Sequence, residues 1–300
     1  MWKRWLSWAF LIGLFVGVER VWGWSELLRP WLAFSPWAIV FGLVLLLASY
    51  VLRALRLYDY FRCDMRGGFG RGFRLMLLHN LFNNLLPMRA GEVSFPVLMS
   101  REFGIEAVRT VPALFWFRLL DLHTVITIGA VAVLGWVGVP AWMAWLLLPW
   151  LAVPLVAYRV QSSALDRLAH AHPGRWGQLL RRALTGLPAN ARGFWRSWGW
   201  TWANWLVKLA VLAWVLQQFL AMPVAAALFG AVVGDLTTVL PVNAPGGFGS
   251  YEAGVVAAIS SLGVSAAAAV GAALNLHLFA LGSAIVSGGI ALLVPGRNRD

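Results

Sequence analysis

The chain reads as an all-α polytopic membrane protein of six full spans plus two re-entrant helical hairpins in an inverted repeat. Three observations predict this. Sixty per cent of its 300 residues are hydrophobic, only 12% are charged, and the mean hydropathy is +0.73. Water-soluble domains do not have that balance. Its basic residues are confined to segments between apolar runs. A broken apolar motif also occurs twice, as L-L-P-M-R-A-G-E from Leu85 to Glu92 and V-L-P-V-N-A-P-G-G-F-G-S-Y-E from Val239 to Glu252. The distal spacing repeats as well, since Arg118 lies fourteen residues past Gly104 and His277 fourteen past Gly263. In lipid, interrupted helix survives only where protein or a hydrated cavity satisfies the freed backbone groups. Paired interruptions in two halves point to a binding site.

Each full span needs ~20 apolar residues, and such runs lie at about 5–22, 33–52, 110–136, 141–158, 198–221 and 266–294. The first opens like a signal peptide, with Lys3 and Arg4 before an apolar run. No small-residue cleavage site follows, so it is expected to be a retained span. Two further apolar stretches, about 75–100 and 224–262, are broken midway, leaving each half too short to cross ~30 Å of hydrocarbon. These are the expected hairpins. The nineteen tryptophans suit the two membrane–water interfaces. The single cysteine, Cys63, excludes an internal disulfide and a CxxC metal or redox motif.

Charge sets the expected topology. With both termini cytoplasmic, nineteen basic residues fall on the inner side and only Arg20 and Arg29 outside. In this scheme Arg53 and Arg56 begin the loop after the second span. The net charge of +12 therefore reflects topology, and nucleic acid is not an expected partner. The whole chain, 1–300, forms a single integral membrane domain with inverted repeats of about 1–138 and 139–300. A basic cytoplasmic loop at 159–197 is expected to carry amphipathic helix on the anionic leaflet.

Removing the loop charges leaves Arg89, Glu92, Arg118, Asp121, Lys208, Asp235 and Glu252 at membrane depth. Each charge at the bilayer centre costs at least ~2.5–3.5 kcal/mol, so such groups pair or line a hydrated path. Asn80, Asn83 and Asn84 share one helical face beside His79. Half-helix N-termini at the breaks attract anions, and Glu92 and Glu252 could equally cap those same half-helices. Asn243, Gly246 and Gly247 belong to a run glycine-rich enough for backbone to approach a ligand closely. Arg118 and Asp121, three apart, could pair with each other or act at the site. Lys208 and Asp235 are either static glue or coupling groups. No cofactor or metal is expected: His170 and His172 lack acidic co-ligands, and neither HExxH nor GxSxG occurs.

The N-x-L-L-P-M-R-A-G-E stretch, the later F-R-L-L-D and the L-P-V-N-A-P-G-G-F-G-S-Y-E block together resemble the lysylphosphatidylglycerol synthase transmembrane family of flippase-like membrane domains. The resemblance runs from about Arg53 to Leu293. It implies a bacterial inner-membrane transporter or flippase that moves an anionic or polyprenyl/hopanoid-type lipid through a central polar cavity. Arg89, Glu92, Arg118, Asp121 and Glu252 stand on matching motif positions, and Asn80, Asn83, Asn84, Asn243, Gly246, Gly247 and His277 complete the expected headgroup site. Phe117, Ser94 to Pro96 and His277 depart from the family pattern, which implies a changed headgroup preference. Membrane lipids are the expected partners, together with a lipid-biosynthesis enzyme. A membrane-embedded enzyme, or an accessory subunit of lipid or glycolipid modification, is the alternative.

Overall fold

The computed structural model describes residues 16–17, 19–20, 23–86, 91–138, 140–171, 174–238 and 244–296. Among these residues the regular structure is entirely helical. Two short helical turns, Trp24–Leu28 and Pro30–Ala33, precede ten helices. These are α1 (Pro36–Tyr60), α2 (Phe69–Leu85), α3 (Ser94–Phe103), α4 (Ala107–Val137), α5 (Leu147–Ala171), α6 (Arg175–Leu184), α7 (Ala191–Phe219), α8 (Val224–Thr237), α9 (Ser250–Ser260) and α10 (Ala266–Leu293). The expected first span falls almost wholly outside the described residues.

By length and composition α1, α4 and α10 can each cross a bilayer, and α7 with α8, bent by 113°, can form a fourth crossing. Only 28% of the most apolar window of α1 is buried within the protein. In water its outward face, with Trp37, Phe41 and Val44 exposed, would be an aggregation surface. In a bilayer it is the lipid face. The chain is a multi-pass membrane protein.

Both interrupted stretches fold as antiparallel helix pairs, and small side chains explain why. In the α8–α9 pair, a Cβ on Gly230 would lie 2.8 Å from Ile259 and one on Gly234 would lie 2.6 Å from Val255. One on Gly254 would meet Thr237 at 2.5 Å and the Val233 carbonyl at 3.0 Å. The glycines thus let two backbones close on each other, the usual device where no hydrophobic effect drives helices together. In the α2–α3 pair a Cβ on Gly91 would run into the Asn83 backbone, Leu75 and Phe95 share one apolar core, and polar contacts add to this packing. Arg74 donates to Glu102 at 2.9 Å, Arg71 to the Glu102 carbonyl at 3.1 Å, and His79 meets Ser94 at 2.9 Å. Gly104, at φ 71°, ends α3 in the left-handed region, and Gly263, at φ 92°, stands in the turn three residues past the end of α9.

Helices α1 and α7 run antiparallel along a seam whose rungs are Gly42–Trp214, Arg53–Asn204, Arg56–Thr201 and Asp59–Arg196. α10 lies against α2, where Gly288 accommodates Leu81, and against α9. Two apolar cores result. One gathers Leu46, Val125, Leu212, Val232 and Val255; the other gathers Leu57, Leu75, Phe95, Leu120 and Phe194. The boundary between them falls between Leu46 and Ala54 on α1, Leu120 and Val125 on α4, and Phe194 and Trp205 on α7. Arg53, Asp121, Thr201 and Asn204 lie at that level.

Two expectations change. α1 runs to Tyr60, not 52, because nothing between Tyr50 and Tyr60 breaks a helix. Arg53 and Arg56 are therefore helical residues inside the bundle and not the start of a loop. α5 likewise extends to Ala171, taking up the first part of the expected 159–197 loop, and α6 supplies an amphipathic helix in its middle with Trp176 exposed.

The glycine seam makes a prediction. Gly254→Leu should destabilise the protein by ~1–3 kcal/mol through overpacking, lowering the thermal midpoint in detergent. Gly70→Ala, where a Cβ meets nothing within 4 Å, should leave that midpoint unchanged.

Candidate functional site

Asp121 on α4 is 4% exposed and collects donors from three helices. Arg56 of α1 approaches it with both prongs, Nη1 to Oδ1 at 2.6 Å and Nη2 to Oδ2 at 3.4 Å. Trp205 of α7 donates its indole N–H to Oδ1 at 2.9 Å. Arg118, one turn back on α4, stands 3.5 Å from Oδ2. Arg56 also donates to Thr201 at 2.8 Å, and its guanidinium lies over the Phe117 ring. The closest partner of Asp121 is thus Arg56, a residue that the charge rule alone places in a loop. The usable signal was the R-A-L-R spacing of Arg53 and Arg56, three apart in an unbroken helical run.

Arg118 is held mainly by Glu92, at 2.7 Å. In the second half of the chain the equivalent pair recurs. Glu252 receives His277 Nδ1 at 2.6 Å, while its other oxygen accepts the Gly249 N–H at 2.7 Å. Glu252 therefore caps its own helix and binds the next one at once. His277 is sandwiched against Tyr251 and Phe248, with ring centroids at 4.5 and 4.8 Å. Gly246 and Gly247, both with φ above 70°, form the turn beside it, and that turn lies against α2.

Lys208 and Asp235 form a buried ion pair at 2.5 Å, joining α7 to α8. Trp205 connects this pair to the Asp121 node. Lys208 Nζ sits 4.8 Å from its ring and the Arg53 guanidinium 5.2 Å from it. The asparagines divide. Asn83 contacts His79 at 3.0 Å, Asn84 donates to the Asn80 carbonyl at 2.7 Å, and Asn80 Nδ2 has no hydrogen-bond partner among the described residues. Arg89 and Asn243 lie outside the described residues. Asn275 and His123, also polar at membrane depth, hold structure, Asn275 bonding Trp31 and His123 bonding the Trp150 carbonyl.

Arg53, Arg56 and Arg118 line one cavity with His79, Phe117 and Asp121. It is narrow, about 20 Å³, enough for a single water molecule. Three guanidinium groups against two carboxylates, Asp121 and Glu92, leave one positive charge in excess around the cavity. Arg53 contributes most to the excess: it hydrogen-bonds the neutral Asn204 at 3.1 Å, and no carboxylate among the described residues pairs with it. A planar, permanently charged guanidinium in that setting is suited to binding phosphate.

A model of the family described as "Lysylphosphatidylglycerol synthase TM region" matches residues 4–288. The chain belongs to that family. No curated protein and no solved structure matches it. Membership carries a membrane, lipid-related role, and the match takes in the N-terminal segment that the motif resemblance had not covered.

The Asp121 node predicts how pairing and stability are linked. Asp121→Asn strands Arg56 in a buried site and should cost ~3–5 kcal/mol. Arg56→Leu combined with Asp121→Leu should recover most of the yield and thermal midpoint, because Arg118 keeps Glu92 as its partner.

Proposed function

We propose that this protein is a lipid transporter or flippase of a bacterial inner membrane, moving a phosphate-bearing lipid past the arginine-lined cavity while the acyl chains stay in the bilayer. The observation that carries the reading is the cation excess at Arg53, Arg56 and Arg118, deep in a bundle where an unneeded charge is costly. Balancing the charge of Asp121 and Glu92 would need no Arg53. The cation excess favours an anionic phospholipid or a polyprenyl phosphate over a neutral hopanoid. In the closed arrangement Glu92 and Asp121 occupy Arg118. A phosphate takes their place when the α2–α3 pair moves away from α4.

The inverted repeat belongs to this proposal. Glu92–Arg118 and Glu252–His277 occupy matching places, each joining the second helix of a pair to the long helix that follows. Two re-entrant hairpins entering from opposite faces would bring these pairs together near the membrane centre. Lys208 and Asp235 are then the coupling candidates, a pair whose protonation change would free α7 from α8.

Two measurements test the proposal. Arg53→Gln should fold with normal yield, because Arg53 has no carboxylate to strand. It should cut the movement of fluorescent phosphatidylglycerol in reconstituted vesicles by about tenfold or more, the loss of one charge-assisted contact. Unchanged movement would remove Arg53 from the path. For topology, a cysteine placed near Gly70 or Gly174 in a Cys63→Ser background should be shielded from an impermeant maleimide in intact cells. One near Gly138 or Gly263 should react. An outward Gly174 would break the inverted arrangement.

A further inference from the structure

At the end of the α1–α7 seam, past the Asp59–Arg196 rung, lies a second cleft, separate from the Asp121 node. It measures about 430 Å³, within the range of small-molecule sites, where the inner cavity holds a single water. Arg62 and Arg66 come from the turn after α1, and Arg196 from the start of α7. Asp59 is the one carboxylate on the wall, and Arg196 already neutralises it. Arg62 and Arg66 are exposed and form no ion pair among the described residues. Tyr58 and Trp200 complete the lining, giving two amphipathic rings beside two unneutralised cations.

We infer that this cleft binds the phosphate of an anionic phospholipid from the leaflet on the basic side of the membrane. Phosphate is the chemistry because two guanidinium groups converge with no carboxylate left to satisfy them, and guanidinium matches phosphate in charge and donor geometry. A lipid is the source because the cleft opens between two membrane helices. Tyr58 and Trp200 also place apolar ring surface and a polar tip at one depth, as aromatic residues do at the level of lipid headgroups. Basic pockets between membrane helices on the cytoplasmic side hold anionic headgroups in this way. The inference needs the membrane setting but not transport, so it stands or falls separately from the function proposed above.

Cys63, the single cysteine of the chain, is exposed in the turn next to Arg62, so a maleimide fluorophore there reports on the cleft without further engineering. Short-chain phosphatidylglycerol titrated onto the labelled full-length protein in a neutral detergent should shift the emission and saturate. Short-chain phosphatidylcholine should not. Arg62→Gln combined with Arg66→Gln should raise the half-saturating concentration roughly thirtyfold, the share of two surface arginines. Arg53→Gln should leave the titration unchanged. Saturation by inorganic phosphate alone would overturn the lipid assignment in favour of a soluble phosphate. A response that survives the double variant, or that disappears with Arg53→Gln, would overturn the separate site.

Discussion

The carboxylate of Asp121 is the constraint on which the interior of this bundle depends. It takes Arg56 from α1, the Trp205 indole from α7 and Arg118 from its own helix. Each of those groups is held elsewhere too: Arg56 by Thr201, Arg118 by Glu92, and Trp205 beneath two cations. One buried anion thereby ties α1, α4 and α7 to the α2–α3 pair. Without it Arg53 and Arg56 would converge with no counter-charge in a region of low dielectric, and only Arg118 would keep a carboxylate, Glu92. The apolar cores on either side provide bulk, but hydrophobic contacts are weakly directional. The polar layer between them fixes which rung of α1 meets which rung of α7.

The two halves of the chain solve one problem by different chemistry. Both must close a helix pair whose second member begins next to a glutamate. In the first half the glutamate meets an arginine and the pair is held by polar contacts from Arg71, Arg74 and His79. In the second it meets a histidine packed between aromatic rings, and glycines bring the helices into direct contact. The first pair thus adds fixed charge to its apolar packing. A permanently ionised arginine holds the first glutamate, and a histidine wedged against Tyr251 and Phe248 holds the second.

Much of this arrangement was legible in the sequence, and the reasons are local. Proline and glycine mark both interruptions, so the breaks after Leu85 and Thr237 stand where the motif places them. The repeated spacing singles out Glu92, Glu252, Arg118 and His277, but which of them pair is seen only in the fold, since the sequence offers Asp121 as the neighbour of Arg118. Arg53 and Arg56 were not legible. A topology rule assigns any arginine just beyond an apolar run to the loop; the absence of a breaker before Tyr60 carries the helix two turns further, and only tertiary packing shows which carboxylate receives the charge. The Lys208–Asp235 pair illustrates a second limit: both residues stand out at membrane depth and the run breaks at Pro223, yet their pairing across α7 and α8 depends on the 113° angle of that bend, which the sequence does not give.

The long-range pairing on Asp121 also constrains how the protein is made. Arg56 precedes Asp121 by 65 residues and Thr201 by 145. At ~5–20 residues per second of synthesis, α1 waits roughly 3–13 s for its carboxylate and longer for its hydroxyl. During that interval two arginines sit on a helix already committed to lipid. Both lie at the trailing end of the apolar stretch, where long side chains can reach back to the interfacial water. The position of Arg53 and Arg56 at that end, and not in the middle of α1, lets a charged helix be inserted first and receive its counter-ion afterwards.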